Sequence, residues 1–184
     1  MARSAQLEIV LPETTPETEW LRGRAVRKVS PKRRHAELQW RLASHLGAWA
    51  RGKGRVGSEW RFRVAPPGEV IRPLVPDVAF LSYARMRGKA TAEWDAPLGA
   101  PDVAVEIRSP GDRCEDVADK VSTLLRAGTQ AVIVIDPETR TALVHDANGA
   151  RAVAPSGVLA HDALPGFAVD LGELFDALDL DEPR

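Results

Sequence analysis

Cysteine is almost missing. Cys114 stands alone among 184 residues, which excludes an intrachain disulfide and a cysteine-based zinc cluster and fits a reducing, cytoplasmic setting. Long apolar runs are missing too. None approaches the ~20 residues that a membrane-spanning helix needs, and the N-terminal LEIVL is short and interrupted by Glu8, so no signal peptide is expected. There is no phosphate-cradling glycine loop, no His-Glu-x-x-His and no nucleophile elbow, which disfavours nucleotidase, metalloprotease and esterase chemistry. No repeat, low-complexity tract or long linker divides the chain. A single domain over residues 1–184 is expected, with residues 1–18 as a lead-in in which LPETTPETE starts a short helix.

Charge is present but unevenly spread. The net formal charge is −1, yet from Arg22 to Arg63 only Glu37 and Glu59 oppose a dense run of arginines and lysines that includes Lys32, Arg33 and Arg34. The C-terminal stretch reverses the sign with Asp162, Asp170, Glu173, Asp176, Asp179, Asp181 and Glu182. This asymmetry has two readings: a polyanionic partner for the N-terminal half, or a solvated basic face neutralised by the acidic tail.

Periodicity places the elements. WLRGRAVRKVSP reads as a hairpin turning at Gly23, and Ser30-Pro31 opens a helix over about 32–51 with Leu38, Leu42, His45, Leu46 and Trp49 on one face. His45 in that stripe reads as a satisfied core histidine. SEWRFRV alternates as a half-buried strand, and VIRPLVPDVAFL is a second extended segment whose prolines suit an edge or irregular strand. DVAVEIRS follows as a third strand, DRCEDVADKVSTLLRAG as a helix closed by Gly128, and AVIVID as a strand buried on both faces. TALVHD and then FAVDLGELFDAL complete an α/β domain with a mixed central β-sheet flanked by helices.

Glu106 lies between Val105 and Ile107 on the third strand, where an unpaired carboxylate would be costly. It needs a partner, either Arg108 on the same strand face or a metal ion. Asp102 has the same strand parity, but four residues of strand span roughly 13 Å, too far to share one ion. Asp102 therefore reads as a strand-start residue that satisfies backbone groups, and Asp77 in the first PDVA copy becomes the natural second ligand. On the following helix Lys120 sits at the edge of the Val117, Val121, Leu124, Leu125 stripe, from which its stem can carry the ammonium toward the sheet. The plainer alternative is a surface Asp116–Lys120 pair.

The order of a basic N-terminal helix, VPDVAFL, PDVAVEIRSP, a DxxxK…RAG helix and an apolar strand ending in Asp-Pro resembles the Uma-type family of endonucleases, within the PD-(D/E)XK or restriction-endonuclease-like superfamily. EWLRGRAVRKVSPKRRH and LPGFAVDLGELF are similar to that family's two ends, so the resemblance covers nearly the whole chain. It implies a restriction-endonuclease-like fold, with Asp77 and Glu106 holding Mg²⁺ or Mn²⁺ and Lys120 orienting or activating the attacking water. His35 and Glu19 match positions on the N-terminal side, His35 with a minor auxiliary role. Arg108 stands where the superfamily lysine is usual; it would hold a phosphate or pair with Glu106, because an arginine stays charged and makes a poor base. Leu124 departs from the family's usual tyrosine. Lys32, Arg33 and Arg34 would contact DNA phosphates, and a homodimer would match the symmetry of a duplex, though no interface residue stands out. Two other readings stay open: a catalytically silent nucleic-acid-binding or protein-assembly module, and a hydrolase of smaller phosphoesters.

Overall fold

The structure, a computed structural model, describes residues 6–179; Asp181 and Glu182 of the acidic tail lie outside them. The chain opens with a hairpin, β1 (Thr18–Leu21) and β2 (Arg24–Arg27), paired antiparallel so that Glu19 faces Val26. Arg22 and Gly23 turn it with φ of 47° and 76°, the left-handed pair that a two-residue hairpin turn requires. The expected short helix ahead of it does not form: pairing of Thr18 with Arg27 draws the segment into extended backbone.

Helix α1 (Arg33–Trp49) follows, then β3 (Gly54–Ser58), β4 (Phe62–Val64), β5 (Arg72–Leu74), β6 (Val78–Ser82), the short α2 (Tyr83–Met86) and β7 (Val103–Ile107). Helix α3 (Cys114–Arg126) leads to β8 (Ala131–Asp136), β9 (Thr141–Asp146), β10 (Gly149–Val153), β11 (Val158–Leu159), β12 (Val169–Asp170) and α4 (Leu171–Asp176). Six strands make the central sheet in the order β10-β9-β8-β7-β6-β3. Only β7 and β8 run parallel; the other neighbours are antiparallel, so the sheet is mixed, as the sequence implies.

Alternation along the strands builds a core on each face. Val78, Phe80, Val103, Val105, Ile107, Ile133 and Ile135 meet Leu38, Leu42 and Leu46 of α1 and Leu174 and Phe175 of α4. On the other face Ala79, Leu81, Ala104, Val132 and Val134 meet Val121 and Leu124 of α3 and Phe62, Val64 and Leu74 of the β4–β5 ribbon. β8 is therefore buried on both sides, which is why AVIVID carries no polar alternation.

Two expectations fail locally. SEWRFRV is not one strand: Glu59 adopts φ 49° and separates β3 from β4. β3 itself is the GRVGS stretch, and Gly54 lets it approach β6 so closely that a Cβ there would lie 2.3 Å from the Leu81 carbonyl oxygen. His45 is exposed, not in the core. The buried stripe of α1 runs through His35, Leu38, Gln39, Leu42 and Leu46, so the helix turns two polar residues near its start toward the end of the sheet.

Candidate active site

The β6–β7 register sets the geometry. Val78 pairs with Val105 and Ala79 with Ala104, so the next step along each strand brings Asp77 opposite Glu106. Directly opposed residues of an antiparallel pair project to the same face with Cβ atoms roughly 5 Å apart. By parity with Ala79 and Ala104, that face is the one covered by α3. The backbone amide of Ile107 donates to Asp77 Oδ2 at 2.6 Å, which fixes the Asp77 carboxylate against the neighbouring strand.

Lys120 comes down from α3 and is buried, not on the surface. Its ammonium donates to Glu106 Oε2 at 2.8 Å and to the Val75 carbonyl at 2.9 Å, and forms an ion pair with Glu19 Oε1 at 2.6 Å. Two hydrogen bonds and one close ion pair thus hold the ammonium on every side. Asp116 does not pair with it; Asp116 instead takes Arg24, at 2.5 Å. Lys28, one residue past β2, donates to Asp77 Oδ1 at 2.5 Å and to the Val75 carbonyl at 3.0 Å. His35 places Nε2 3.6 Å from Asp77 Oδ1, beyond hydrogen-bond length, while its Nδ1 lies 3.1 Å from Ser109 Oγ. Gln39 donates to the Asp77 carbonyl at 2.9 Å.

The buried cluster therefore contains three carboxylates, Glu19, Asp77 and Glu106, against two ammoniums, Lys28 and Lys120. Burial alone would raise Asp77, but Lys28 and the neighbouring imidazole and Lys120 hold its carboxyl well below the usual range. Burial alone would lower Lys120, but Glu106, Glu19 and Asp77 together hold it above the ordinary lysine value. Glu106 is pushed upward by its burial, reinforced by Asp77 and Glu19, which together outweigh the attraction of Lys120. Glu106 is thus the member whose ionised form is least stabilised. Its Oε1 is buried and has no hydrogen-bond partner.

These groups line a cleft of about 250 Å³ whose rim carries Arg24, Arg27, Arg108 and Arg113. Arg108 lies just past the end of β7 and turns toward its own loop, with Nη2 3.2 Å from the Asp112 carbonyl. The sequence alternative of a Glu106–Arg108 pair is not realised, because Lys120 takes Glu106. Asp102 sits at the other end of β7, accepting from the Ser82 amide at 2.7 Å and Gln130 at 3.0 Å and ion-paired with Arg85 at 2.9 Å; it ties β7 to its neighbours, far from the cleft. Among Lys32, Arg33 and Arg34, Lys32 is exposed, Arg33 donates to Glu37 and the Leu178 carbonyl, both at 3.0 Å, and Arg34 pairs with Asp179.

Sequence reasoning gave two members no site role, Glu19 being noted only through the resemblance. Glu19 shares strand parity with buried Leu21, and an acid on the inward side of a strand was the available signal. Lys28 gave none, since a lysine amid arginines reads as solvated surface.

Do the residues suit a divalent cation? Among the described residues no three His, Cys, Asp or Glu side chains converge as a ready-made ligand set. A hard cation such as Mg²⁺ needs less, being held by one or two carboxylates with waters and substrate phosphates. The opposed Asp77 and Glu106, with one carboxyl oxygen orphaned, fit that donor set.

A mixed six-stranded sheet with helices on both faces and paired carboxylates at the end of two central strands defines a restriction-endonuclease-like α/β protein. A family model, Uma2, described as "Putative restriction endonuclease", matches residues 4–172, and the chain belongs to that family. The fold is also that of the crystal structure of "a putative nuclease belonging to DUF820" from Anabaena variabilis ATCC 29413, with a TM-score of 0.80 and 23% identity over 91% of this chain and 94% of that one. No curated protein matches the chain. No helix among the described residues is long and apolar enough to cross a membrane.

Proposed function

We propose that the protein is a metal-dependent endonuclease that hydrolyses DNA phosphodiester bonds, with Asp77 and Glu106 holding Mg²⁺ or Mn²⁺. The observation that carries this reading is Glu106 Oε1: a buried, partnerless carboxyl oxygen across from Asp77, in a cluster of three carboxyl groups and two ammoniums. When bound, the ion supplies Lewis-acid stabilisation of the charge that develops on the phosphate and leaving oxygen.

The chain's own residues do the rest. The Ile107 amide fixes the Asp77 carboxylate, which Lys28 covers in the metal-free protein, and Lys120 engages Oε2 of Glu106, leaving Oε1 without a partner. Held above the ordinary lysine value and fixed by Glu106, Glu19 and the Val75 carbonyl, Lys120 assists the attacking water by position and positive charge, not by taking its proton. The rim arginines offer planar, permanently charged contacts to phosphate. Of the basic helix start, Lys32 is exposed while Arg33 and Arg34 engage the C-terminal segment, so Lys32 is the one best disposed toward DNA.

One observation favours a second reading, a catalytically silent binding module: both carboxylates already carry an ammonium, as a purely structural charge cluster would. Incubation with supercoiled and linear DNA plus Mg²⁺ or Mn²⁺ separates the two. The nuclease reading expects cleavage by the wild type that is abolished by EDTA and lost in Asp77→Asn and Glu106→Gln. Cleavage that survives both substitutions would sink the site assignment, and absence of cleavage on any DNA would favour the silent module.

A further inference from the structure

The two lysines of the cluster are not equivalent. Lys120 is locked by two buried acceptors, Glu106 and the Val75 carbonyl, and by its ion pair with buried Glu19. Lys28 emerges from the connection after β2, and its side chain is 12% exposed against 6% for Lys120. It also has somewhere else to go. The half-buried Glu59 carboxylate lies 3.8 Å from its ammonium, at the left-handed break between β3 and β4.

The Asp77 carboxylate shows the consequence. Its Oδ2 is tied to the Ile107 amide, and its Oδ1 is covered by Lys28 at 2.5 Å. A divalent ion binding Asp77 at ~2.0–2.2 Å would meet that ammonium in close like-charge contact at low dielectric. We infer that Lys28 is the resident counter-cation of Asp77, that a metal ion enters by displacing it toward Glu59, and that Lys28 thereby sets the metal affinity of the site. The inference rests on the metal-holding reading of Asp77 and Glu106 and adds to it a residue outside the acid pair. In the metal-free protein Lys28 keeps the carboxylate compensated; in the loaded protein its ammonium stays at the mouth of the cleft, on the side of Glu59.

Direct calorimetric titration of the full chain with Mn²⁺, without nucleic acid, reads this without relying on activity. Lys28→Met removes the competing charge while keeping an apolar stem of similar length, and is expected to bind Mn²⁺ roughly tenfold more tightly or better, the like-charge repulsion at contact distance being gone. Lys28→Arg keeps the charge and should stay near wild type. Glu59→Gln should weaken Mn²⁺ binding a few-fold when Lys28 is present and leave it unchanged in the Lys28→Met background, a coupling that a merely structural lysine would not produce. Should Lys28→Met fail to fold by circular dichroism, Lys28→Gln is read by the same criterion. Equal or weaker Mn²⁺ binding by the charge-removed variant, with wild type binding normally, overturns the role of Lys28 and leaves the metal site standing. If neither wild type nor the Lys28 variant binds Mn²⁺, the metal reading itself fails and takes this inference with it.

Discussion

Replacing Lys120 by methionine preserves the length of a buried stem and deletes only its charge. The wild-type side chain is 6% exposed and contributes hydrogen bonds of 2.8 and 2.9 Å to Glu106 and the Val75 carbonyl, with a further ion pair to Glu19 at 2.6 Å, so that two buried carboxylates depend on it. Removing one partner of a buried ion pair typically costs about 3–5 kcal/mol, because the other charge is left unpaired. Here two carboxylates lose their cation, but Glu106, already pushed upward by its burial and by Asp77 and Glu19, can take a proton and relieve part of the loss. The expectation is therefore the lower end, about 3 kcal/mol. For a domain of this size that lowers the melting temperature by roughly 6–12 °C. Urea denaturation in EDTA, followed by far-UV circular dichroism, measures it. The companion is the double variant with Glu106→Gln: once Lys120 is gone, neutralising Glu106 should cost less, giving a coupling of about 1–3 kcal/mol. A loss below about 0.5 kcal/mol for Lys120→Met, within the range of ordinary surface substitutions, or strictly additive costs in the double variant, would refute the reading of Lys120 as the locked cation of the cluster.

Two further expectations separate site from scaffold. Asp102→Asn loses the charge that holds Arg85 and weakens the clamp on the Ser82 amide, so it should cost about 1–3 kcal/mol of stability while metal binding and DNA cleavage persist; unchanged melting with abolished cleavage would reverse the assignment of the two PDVA aspartates. For DNA binding, anisotropy on a short duplex at several salt concentrations should show Lys32→Ala lowering the slope of log K against log salt by about 0.9, one phosphate contact. Arg34→Ala, whose guanidinium pairs with Asp179, should leave that slope unchanged, and the opposite order would move the DNA contact onto the arginine.

The elements that position the site were largely legible because each follows one physical period. Val103, Val105 and Ile107 fall into the core on one face of the sheet and Ala104 into the core on the other, the face whose parity Glu106 shares. Lys120 was legible as a stripe-edge lysine, and the step length of a strand alone set Asp102 apart from Glu106. What sequence could not reveal depends on contacts between distant segments. β3 was hidden because GRVGS has no apolar alternation; its place depends on Gly54 meeting the Leu81 carbonyl. His45 was misplaced because helical period locates a stripe only to within a residue, and here the stripe includes the polar His35 and Gln39, whose partners, Ser109 and the Asp77 carbonyl, lie at the far end of the sheet. Glu19 and Lys28 join the cluster only because the hairpin folds over that same end, and nothing local in EWLRGRAVRK distinguishes a buried lysine from its exposed neighbours.

The central claim, that Asp77 and Glu106 together hold one divalent ion, is tested most directly by anomalous diffraction from crystals soaked in Mn²⁺. The account predicts a single strong anomalous peak between Asp77 and Glu106 Oε1, at carboxylate-ligand distances of roughly 2.0–2.3 Å, and no peak in crystals of Glu106→Gln. An empty site at saturating Mn²⁺, or a peak elsewhere in the chain, would contradict it.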